Sequence, residues 1–534
     1  MNKIRYFILT LVGAVALTAT GAPASGVPVK VTAPDGTELW VRAVGDENNR
    51  HFETLDGELV SWLPQVRQQL FPKALKDKLF PRFLNQRQSL ANRTVPASGS
   101  PKFLVVLVDF PDRQFAVEEP LAVFSELLNA TSADGNQDPG SGIAVKSARS
   151  YFEASSAGQF SPDFQLVGPV TMANNARYYA SVGLDDSPAT NMVIEACQIL
   201  DSEVDFTEFD LDGDGICDNV YFFYAGQGQA DGGGTSTIWP HSATLSTFGK
   251  SLTVDGIAIE NYACSPEQNG RKQFTGIGTF CHEFCHVLGL KDLYCNGGLH
   301  PGYFSLMASG NYNDGGYTPP LLSSFERLSL GWLTTEELAA SGDVTLSPLS
   351  DSNHALRLST PHENEYFLLE NRPQQGWDSH LPGEGLLIWH IDYDQQAWDN
   401  NTPNTSAFRR VDLLRAVSTG GAFTPFPGPA GVTTISDTTT PSLTTHAGES
   451  LGVTLSEIAF FPSPSVAGET SLVTFSALFT GAGVNDTETD PANDPVTAVY
   501  SISGQILPTT DPAELPPGFY ILRRASGATS KFRK

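Results

Sequence analysis

Apolar and polar positions along the chain predict an α+β protein. Two continuous apolar runs, Phe103–Val108 and Val220–Gly226, have the length and composition typical of buried strands. Residues Met192–Leu200 follow a helical pattern, and so do the residues around 277–288. After about residue 335, short apolar or alternating runs are broken by Pro, Gly, Asn and Asp, which predicts a β-rich, sandwich-like region.

Changes in this pattern divide the chain into segments. Residues 1–24 combine two basic residues, an apolar run and a small-residue end, which predicts a signal peptide. Residues 25–99 are mixed, with strand-like pieces at 29–31 and 38–41 and a helix-like stretch at 64–90. A first globular domain is expected at 100–335 and the β-rich region at 336–480. Residues 481–495 are predicted to be a linker, and residues 496–534 a small terminal domain.

Charge and composition exclude several classes of protein. The 534 residues include 32 Lys and Arg against 59 Asp and Glu, a formal net charge of −27, and no basic run of the kind that binds nucleic acid. The apolar content of 40% excludes a wholly disordered chain. Because the only long apolar run is the leader, we expect a protein without a transmembrane segment after signal cleavage, secreted or at the outer cell surface. The six cysteines could form disulfides or stay as buried thiols.

The sequence HEFCH carries the strongest chemical signal. His282 and His286 are four residues apart, so one helical face presents both imidazoles about 6 Å apart along the axis. This spacing lets two imidazole nitrogens bind one zinc ion. Glu283 lies beside them and is placed to take a proton from an attacking water, as in zinc peptidases.

The residues after this helix predict how the site is completed. Gly289 can end the helix in a left-handed conformation, and Asp292 is then placed to return as the third ligand. A distant carboxylate such as Glu326 is an alternative third ligand. Met307, in the sequence FSLMASGNY, resembles the methionine that supports the site from a tight turn below the metal in zinc peptidases of the metzincin type. An ordinary buried methionine is the alternative for this residue.

The sequence DLDGDGICD predicts a calcium loop. Asp210, Asp212, Asp214 and Asp218 occupy positions 1, 3, 5 and 9 of such a loop, and Gly215 occupies the sixth, where a sharp turn is needed. Tyr221 stands at position 12, so the last ligands would come from elsewhere. An Asx-Gly turn before a strand is the alternative.

Several further sequences accompany the histidine motif: KFLVVLVDFPD, EFDLDGDGICDNVYFFYAG, IWPHS, LMASG, LGWL and YFLLENRPQQGWDSHLPGEGLLIWHID. Together with HEFCHVLGLKDLY they resemble the immune inhibitor A family of secreted bacterial metallopeptidases over about residues 100 to 480. The resemblance implies a zincin-like catalytic domain with a mixed sheet over an active-site helix, and an N-terminal propeptide at residues 25–99. It also implies zinc ligation by His282, His286 and Asp292, with Glu283 as the catalytic acid and base. Cys285 departs from the small residue usual in such motifs.

The last forty residues have a resemblance of their own. The sequences VYSISGQ and PPGFYILR and the basic end resemble the C-terminal sorting signal of the type IX secretion system. This resemblance implies the secretion machinery as a partner. A small β-accessory domain is the alternative.

These features lead to one functional hypothesis and one rival. The hypothesis is a secreted zinc-dependent endopeptidase, made as a zymogen, that hydrolyses peptide bonds in protein substrates. The rival is a surface adhesin or binding protein that uses a zincin scaffold. The intact histidine motif favours the enzyme. His241 and His390 have no metal-ligand spacing to a partner, so hydrogen-bonded core positions are expected for them.

Overall fold

The structure is a computed structural model, and it describes residues 22–33, 36–46, 51–60, 95–131, 146–182, 185–234, 236–295, 300–405, 408–416, 425–462, 470–480, 496–501, 507–515, 519–524 and 529–533. The chain forms two compact units. The larger comprises Met1–Ala339, Asp343–Thr433 and Glu457–Phe475, and the smaller comprises Ala340–Gly342, Thr434–Ser456 and Ser476–Lys534.

A five-stranded sheet lies at the centre of the larger unit. Its order is Asp163–Thr171, Lys102–Asp109, Val220–Gln227, Asn261–Gln268 and His241–Thr244. The first four strands are parallel to their neighbours, and the last is antiparallel, so the sheet is mixed as predicted. The two strands predicted from apolar runs lie side by side in it, buried on both faces.

Helices cover both faces of this sheet. Side chains alternate between the faces of a strand, so Phe103, Val105 and Leu107 pack on one side and Leu104 and Val106 on the other. The first side carries helices Pro120–Asn129, Ala148–Ser155 and Gly278–Val287. The second side carries helix Ser187–Leu200, which contains the predicted helical residues 192–200. The result is a three-layer arrangement around two apolar cores.

The β-rich sequence after residue 335 begins with a second five-stranded sheet. Its order is Thr335–Glu337, Ala355–Ser359, Glu365–Arg372, Gly385–Asp392 and Val411–Leu414, with only the first pair parallel. Leu368, Leu387 and Trp389 from this sheet belong to the same apolar core as the helix Gly278–Val287. The predicted boundary at residues 335 and 336 therefore crosses a continuous core.

Further strands complete the described secondary structure. An N-terminal antiparallel sheet contains Val29–Thr32, Glu38–Val44 and His51–Thr54, and a small sheet contains Ile216–Cys217, Ile257–Ile259 and Leu252–Val254. In the smaller unit, Ile435–Ser436 pairs with the beginning of Val453–Phe461, and a terminal sheet contains Val496–Ser501, Phe519–Arg524 and Thr529–Arg533. Two more strands are Gly342–Leu346 and Leu472–Phe479.

Short helices connect these elements. Among the described residues, the remaining α-helices are Ser324–Leu330, Leu349–Ser352 and Gln395–Asp399. The 3-10 helices of the same ranges are Ala176–Tyr178, Phe206–Phe209, Ser246–Phe248, Gly302–Phe304, Ser309–Gly316, Gly376–His380 and Pro512–Glu514. Within the described ranges, each helix is too short or too polar to cross a bilayer. The predicted helix at 64–90, the linker at 481–495 and most of the predicted signal peptide lie outside the described residues.

Candidate metal centre

The helix Gly278–Val287 carries the histidine motif and is held against the central sheet by aromatic side chains. The ring of Phe284 lies 4.8 Å from that of Phe103 and 5.2 Å from that of Phe164, centroid to centroid. Gly278 begins the helix where a Cβ atom would lie 1.9 Å from the carbonyl oxygen of Asn311, so a larger residue cannot fit. The helix is therefore fixed on its apolar side and at its first turn.

Backbone carbonyls orient both imidazoles of the motif. His282 Nδ1 lies 2.8 Å from the carbonyl oxygen of Leu306, and His286 Nδ1 lies 2.9 Å from that of Leu290. These contacts favour the tautomer in which Nδ1–H donates and Nε2 keeps its lone pair. Both Nε2 atoms are thereby available as ligands on the same side of the helix.

Gly289 ends the helix as predicted and returns the chain toward the histidines. It has φ +100°, its N–H donates to the His286 carbonyl, and the N–H of Leu290 donates to the Cys285 carbonyl. This pair of bonds is a Schellman motif, which glycine forms without steric cost. Asp292 follows, and its Oδ1 lies 3.2 Å from Nε2 of both His282 and His286.

The chemistry of these three side chains fits a bound metal ion. His282 Nε2, His286 Nε2 and Asp292 Oδ1 are buried, and within the described residues none makes a well-formed hydrogen bond. Their ligand atoms lie within 4.8 Å of one another. Buried polar atoms left without partners are costly unless something else binds them. Two imidazole nitrogens and one carboxylate oxygen form a donor set suited to zinc.

The close approach of these charged side chains shifts the pKa values of Asp292 and His282. Burial would raise the pKa of Asp292, but the neighbouring imidazoles of His286 and His282 hold it well below its usual range. Burial lowers the pKa of His282, yet the neighbouring carboxylates of Asp292 and Glu283 raise it to about 8. In both residues the interaction with the opposite charge outweighs desolvation.

Glu283 lies beside the three converging side chains and is fully buried. Burial raises its pKa to about 8, against the opposing charge of His282. Its Oε1 accepts a hydrogen bond of 2.9 Å from the backbone N–H of Ala22, and within the described part of the chain Oε2 has no hydrogen-bond partner. A buried carboxyl with a pKa near neutrality can accept and release a proton.

An N-terminal segment lies over Glu283, a feature that sequence analysis missed. Trp239 Nε1 donates to the carbonyl oxygen of Ala22 at 3.1 Å, and the Tyr312 hydroxyl donates to that of Pro23 at 2.5 Å. The N–H of Ser25 donates to the carbonyl of Ala230 at 2.9 Å. Four hydrogen bonds therefore hold residues 22–25 beside Glu283. Small apolar residues near a leader carry no signal of such a contact.

Met307 and Glu326 lie together below the site. Met307 is fully buried, and its carbonyl accepts from the N–H of Leu293 at 2.7 Å, next to Asp292. Glu326 Oε1 accepts from Ser305 Oγ at 2.6 Å, and Oε2 accepts from Ser323 N and Oγ. Both oxygens of Glu326 are thus occupied, and it is Asp292, not Glu326, that joins the two histidines.

The predicted calcium loop precedes strand Val220–Gln227. Carboxylate oxygens of Asp210, Asp212 and Asp214 lie within 4.8 Å of one another. Asp210 also accepts backbone hydrogen bonds from Gly213, Asp214 and Gly215, which shape the turn. Asp218 is buried and accepts from the N–H of Leu211 at 2.7 Å. The loop has a compact acidic geometry that its own backbone already stabilises.

The remaining histidines and cysteines singled out by sequence occupy core positions. His241 lies between the Trp239 carbonyl and the Tyr262 hydroxyl, at 2.7 and 2.8 Å. His390 Nε2 lies 2.8 Å from Glu365 Oε1. Sequence analysis left disulfides and buried thiols open for the six cysteines, and in the structure all six are buried free thiols.

Comparison with known proteins matches the part of the chain that carries the histidine motif to a peptidase family. Residues 94–332 match the family described as immune inhibitor A peptidase M6, catalytic domain. Two curated relatives, the pre-pro-metalloproteases PrtV of Vibrio cholerae serotype O1 strains M66-2 and ATCC 39315 / El Tor Inaba N16961, are each 26% identical over 294 residues. These alignments cover 45% of this chain and 31% of each relative, so the chain matches about a third of their length. Both findings support the resemblance to the immune inhibitor A family of metallopeptidases.

Proposed function

We propose that this chain is a secreted zinc-dependent endopeptidase. The observation that carries the proposal is the convergence of His282 Nε2, His286 Nε2 and Asp292 Oδ1, with Glu283 beside them. These three side chains would hold zinc. When bound, zinc polarises the scissile carbonyl and lowers the pKa of a water molecule toward about 7.

The protein's own groups account for the proton transfers. Glu283 Oε2 is buried and has no hydrogen-bond partner among the described residues, so it can accept a proton from the attacking water. The proton would then pass to the leaving amine of the cleaved bond. The contact between Ala22 N and Glu283 Oε1 places a peptide nitrogen within hydrogen-bonding distance of this carboxylate. No covalent intermediate with the protein is needed.

The test compares the processed wild type with Glu283→Gln, which keeps the size of the side chain. Bound zinc is measured by mass spectrometry and hydrolysis by release of labelled peptides from casein. We expect about one zinc per chain in both proteins and a loss of hydrolysis of at least 10²-fold in the variant. Absence of zinc from the wild type would refute the proposal. Zinc without hydrolysis would favour the adhesin or binding-protein alternative.

We also propose that residues 25–99 are a propeptide and that the chain is made as a zymogen. Residues 22–25 lie over Glu283, where a substrate would have to bind. Ala22 precedes the predicted signal cleavage after residue 24, so these contacts depend on where cleavage occurs. The test compares the peptidase activity of chains that begin at Ala22, at Ser25 and at residue 100. Activity should be lowest in the chain that begins at Ala22 and highest in the chain that begins at residue 100. Equal activity in all three would refute latency.

Two further proposals concern calcium and export. Calcium would bind Asp210, Asp212, Asp214 and Asp218, and added calcium should raise the melting temperature of zinc-loaded protein. An unchanged melting temperature would contradict calcium binding.

The tail at 496–534 would direct export through type IX secretion machinery, after removal of the signal peptide at 1–24. Secreted protein that retains the whole tail, and a tail deletion that is exported normally, would contradict that role.

A further inference from the structure

The proposed third ligand, Asp292, is held by a residue far along the chain. Its Oδ1 faces the two histidines, and its Oδ2 accepts a hydrogen bond from Asn401 Nδ2 at 2.5 Å. In return, Asn401 Oδ1 accepts from the backbone N–H of Asp292 at 2.9 Å. Both side chains are buried, with 3% of Asp292 and 8% of Asn401 exposed. One amide therefore fixes both the main chain and the carboxylate of the same residue.

The backbone at Asn401 indicates that this side chain has a specific role. Helix Gln395–Asp399 ends in a Schellman motif, in which the N–H of Asn401 donates to Trp398 and that of Thr402 donates to Ala397. Asn401 occupies the left-handed position with φ +50°. Glycine is the usual residue there, as Gly289 is at the end of the active-site helix, and asparagine is tolerated at some cost. This chain has asparagine at the position where glycine is usual, and the side chain of Asn401 reaches Asp292.

A second asparagine of the same loop provides a contrast. Asn404 Nδ2 donates to the carbonyl oxygens of Leu293 and Val411, at 2.6 and 2.9 Å. Its Oδ1 accepts from the backbone N–H groups of Arg410 and Val411. Asn404 thus fastens the loop to the backbone beside Asp292 without touching the carboxylate. Of the two asparagines, it is Asn401 that contacts the carboxylate of the ligand.

We infer that Asn401 is a positioning residue of the metal centre, which holds Asp292 as a ligand through Oδ1 alone. With Oδ2 bound to the amide, the carboxylate cannot rotate to exchange its oxygens or present both of them to the ion. Partners of this kind typically contribute 10- to 100-fold to metal affinity. The inference rests on the proposed zinc site. It also assigns part of that site to a residue beyond the segment 94–332 that matches the peptidase family.

The test uses Asn401→Gly in the full processed chain, because glycine keeps the left-handed backbone and removes only the amide. The matched control is Asn400→Gly, the same change at the exposed neighbouring residue. Zinc affinity is measured by competition with a chromophoric chelator, and ligand geometry from the visible absorption of the cobalt-substituted protein. We expect Asn401→Gly to raise the zinc Kd 10- to 100-fold and change the cobalt spectrum. Asn400→Gly should alter neither.

A second variant covers the case in which glycine prevents folding, as judged by circular dichroism of the metal-free protein. Asn401→Asp has the same shape but replaces the Nδ2 donor with an oxygen that faces Asp292 Oδ2, so it should also weaken zinc binding. A zinc Kd within twofold of wild type, with an unchanged cobalt spectrum, in the folded variant would overturn the inference. If wild type binds zinc and hydrolyses casein in that case, the proposed function stands. If the wild type binds no zinc, both the role of Asn401 and the proposed function are refuted.

Discussion

Glu267 provides a sharp test of how the central sheet is held together. It lies in strand Asn261–Gln268 and is fully buried. Its Oε1 accepts from the backbone N–H groups of Ala116 and Val117, at 2.5 and 3.1 Å, and its Oε2 accepts from that of Gly226 at 2.9 Å. One carboxylate therefore ties a loop after strand Lys102–Asp109 to the end of strand Val220–Gln227.

Glu267→Gln keeps the shape but cannot satisfy all three donors. The amide offers one oxygen, so its NH₂ group must face either Gly226 N or the two N–H groups of the loop. In the better orientation one buried N–H loses its partner, at about 1–3 kcal/mol, and two charge-assisted bonds become neutral ones. Relief of burying the charge offsets part of this loss. We expect a decrease of about 2–4 kcal/mol in the free energy of unfolding.

Urea unfolding, followed by tryptophan fluorescence and circular dichroism, measures this change. The control is Glu208→Gln, because Glu208 is exposed and its ion pair with Lys102, at 3.5 Å, is also exposed. Exposed pairs contribute little, so the control should change stability by less than about 0.5 kcal/mol. A Glu267→Gln variant as stable as the control would refute the reasoning that these three bonds stabilise the sheet.

Three further predictions follow from the core, from a buried acid and from the metal. Phe284→Ala should lower the free energy of unfolding by about 3–5 kcal/mol in urea titrations, because it removes a buried ring that contacts four others. Phe461→Ala, at a side chain 54% exposed, is the control and should have little effect. Burial raises the pKa of Asp231 to about 6, so the native state keeps its proton to higher pH than the unfolded chain does, and stability falls as pH rises from about 4 to 6. Asp231→Asn should therefore be more stable than wild type by about 3 kcal/mol above pH 6 in chemical denaturation, and the difference should vanish below about pH 4. Removal of zinc with 1,10-phenanthroline should lower the melting temperature. Zinc restored at 100 times its Kd should raise the free energy of unfolding by about 2.7 kcal/mol. An unchanged melting temperature would contradict metal binding to the native state.

Local sequence patterns predicted the elements that position the site. The strands at 103–108 and 220–226 were predictable from their continuous apolar runs, and the active-site helix was predictable from apolar residues at helical spacing. Gly289 was predictable as the end of the helix because left-handed backbone favours glycine. The return of Asp292 toward the histidines followed from that turn, within six residues of His286.

The contacts that the sequence did not predict join residues far apart in the chain. Asn401 pairs with Asp292 across the boundary that was predicted at residue 335, where the structure has one continuous apolar core. A single asparagine after a short helix has no distinctive spacing, so its role depends on the fold. The same holds for Ala22, whose contact with Glu283 joins a predicted leader to the active-site helix. Such pairings are set by tertiary packing and leave no periodic pattern.

Anomalous diffraction above and below the zinc absorption edge tests the central claim most directly. In crystals of the zinc-loaded protein, we predict one strong anomalous peak about 2.0–2.2 Å from His282 Nε2, His286 Nε2 and Asp292 Oδ1. A peak bound by Glu326 in place of Asp292, or no peak near the two histidines, would contradict the metal centre on which the proposed peptidase depends.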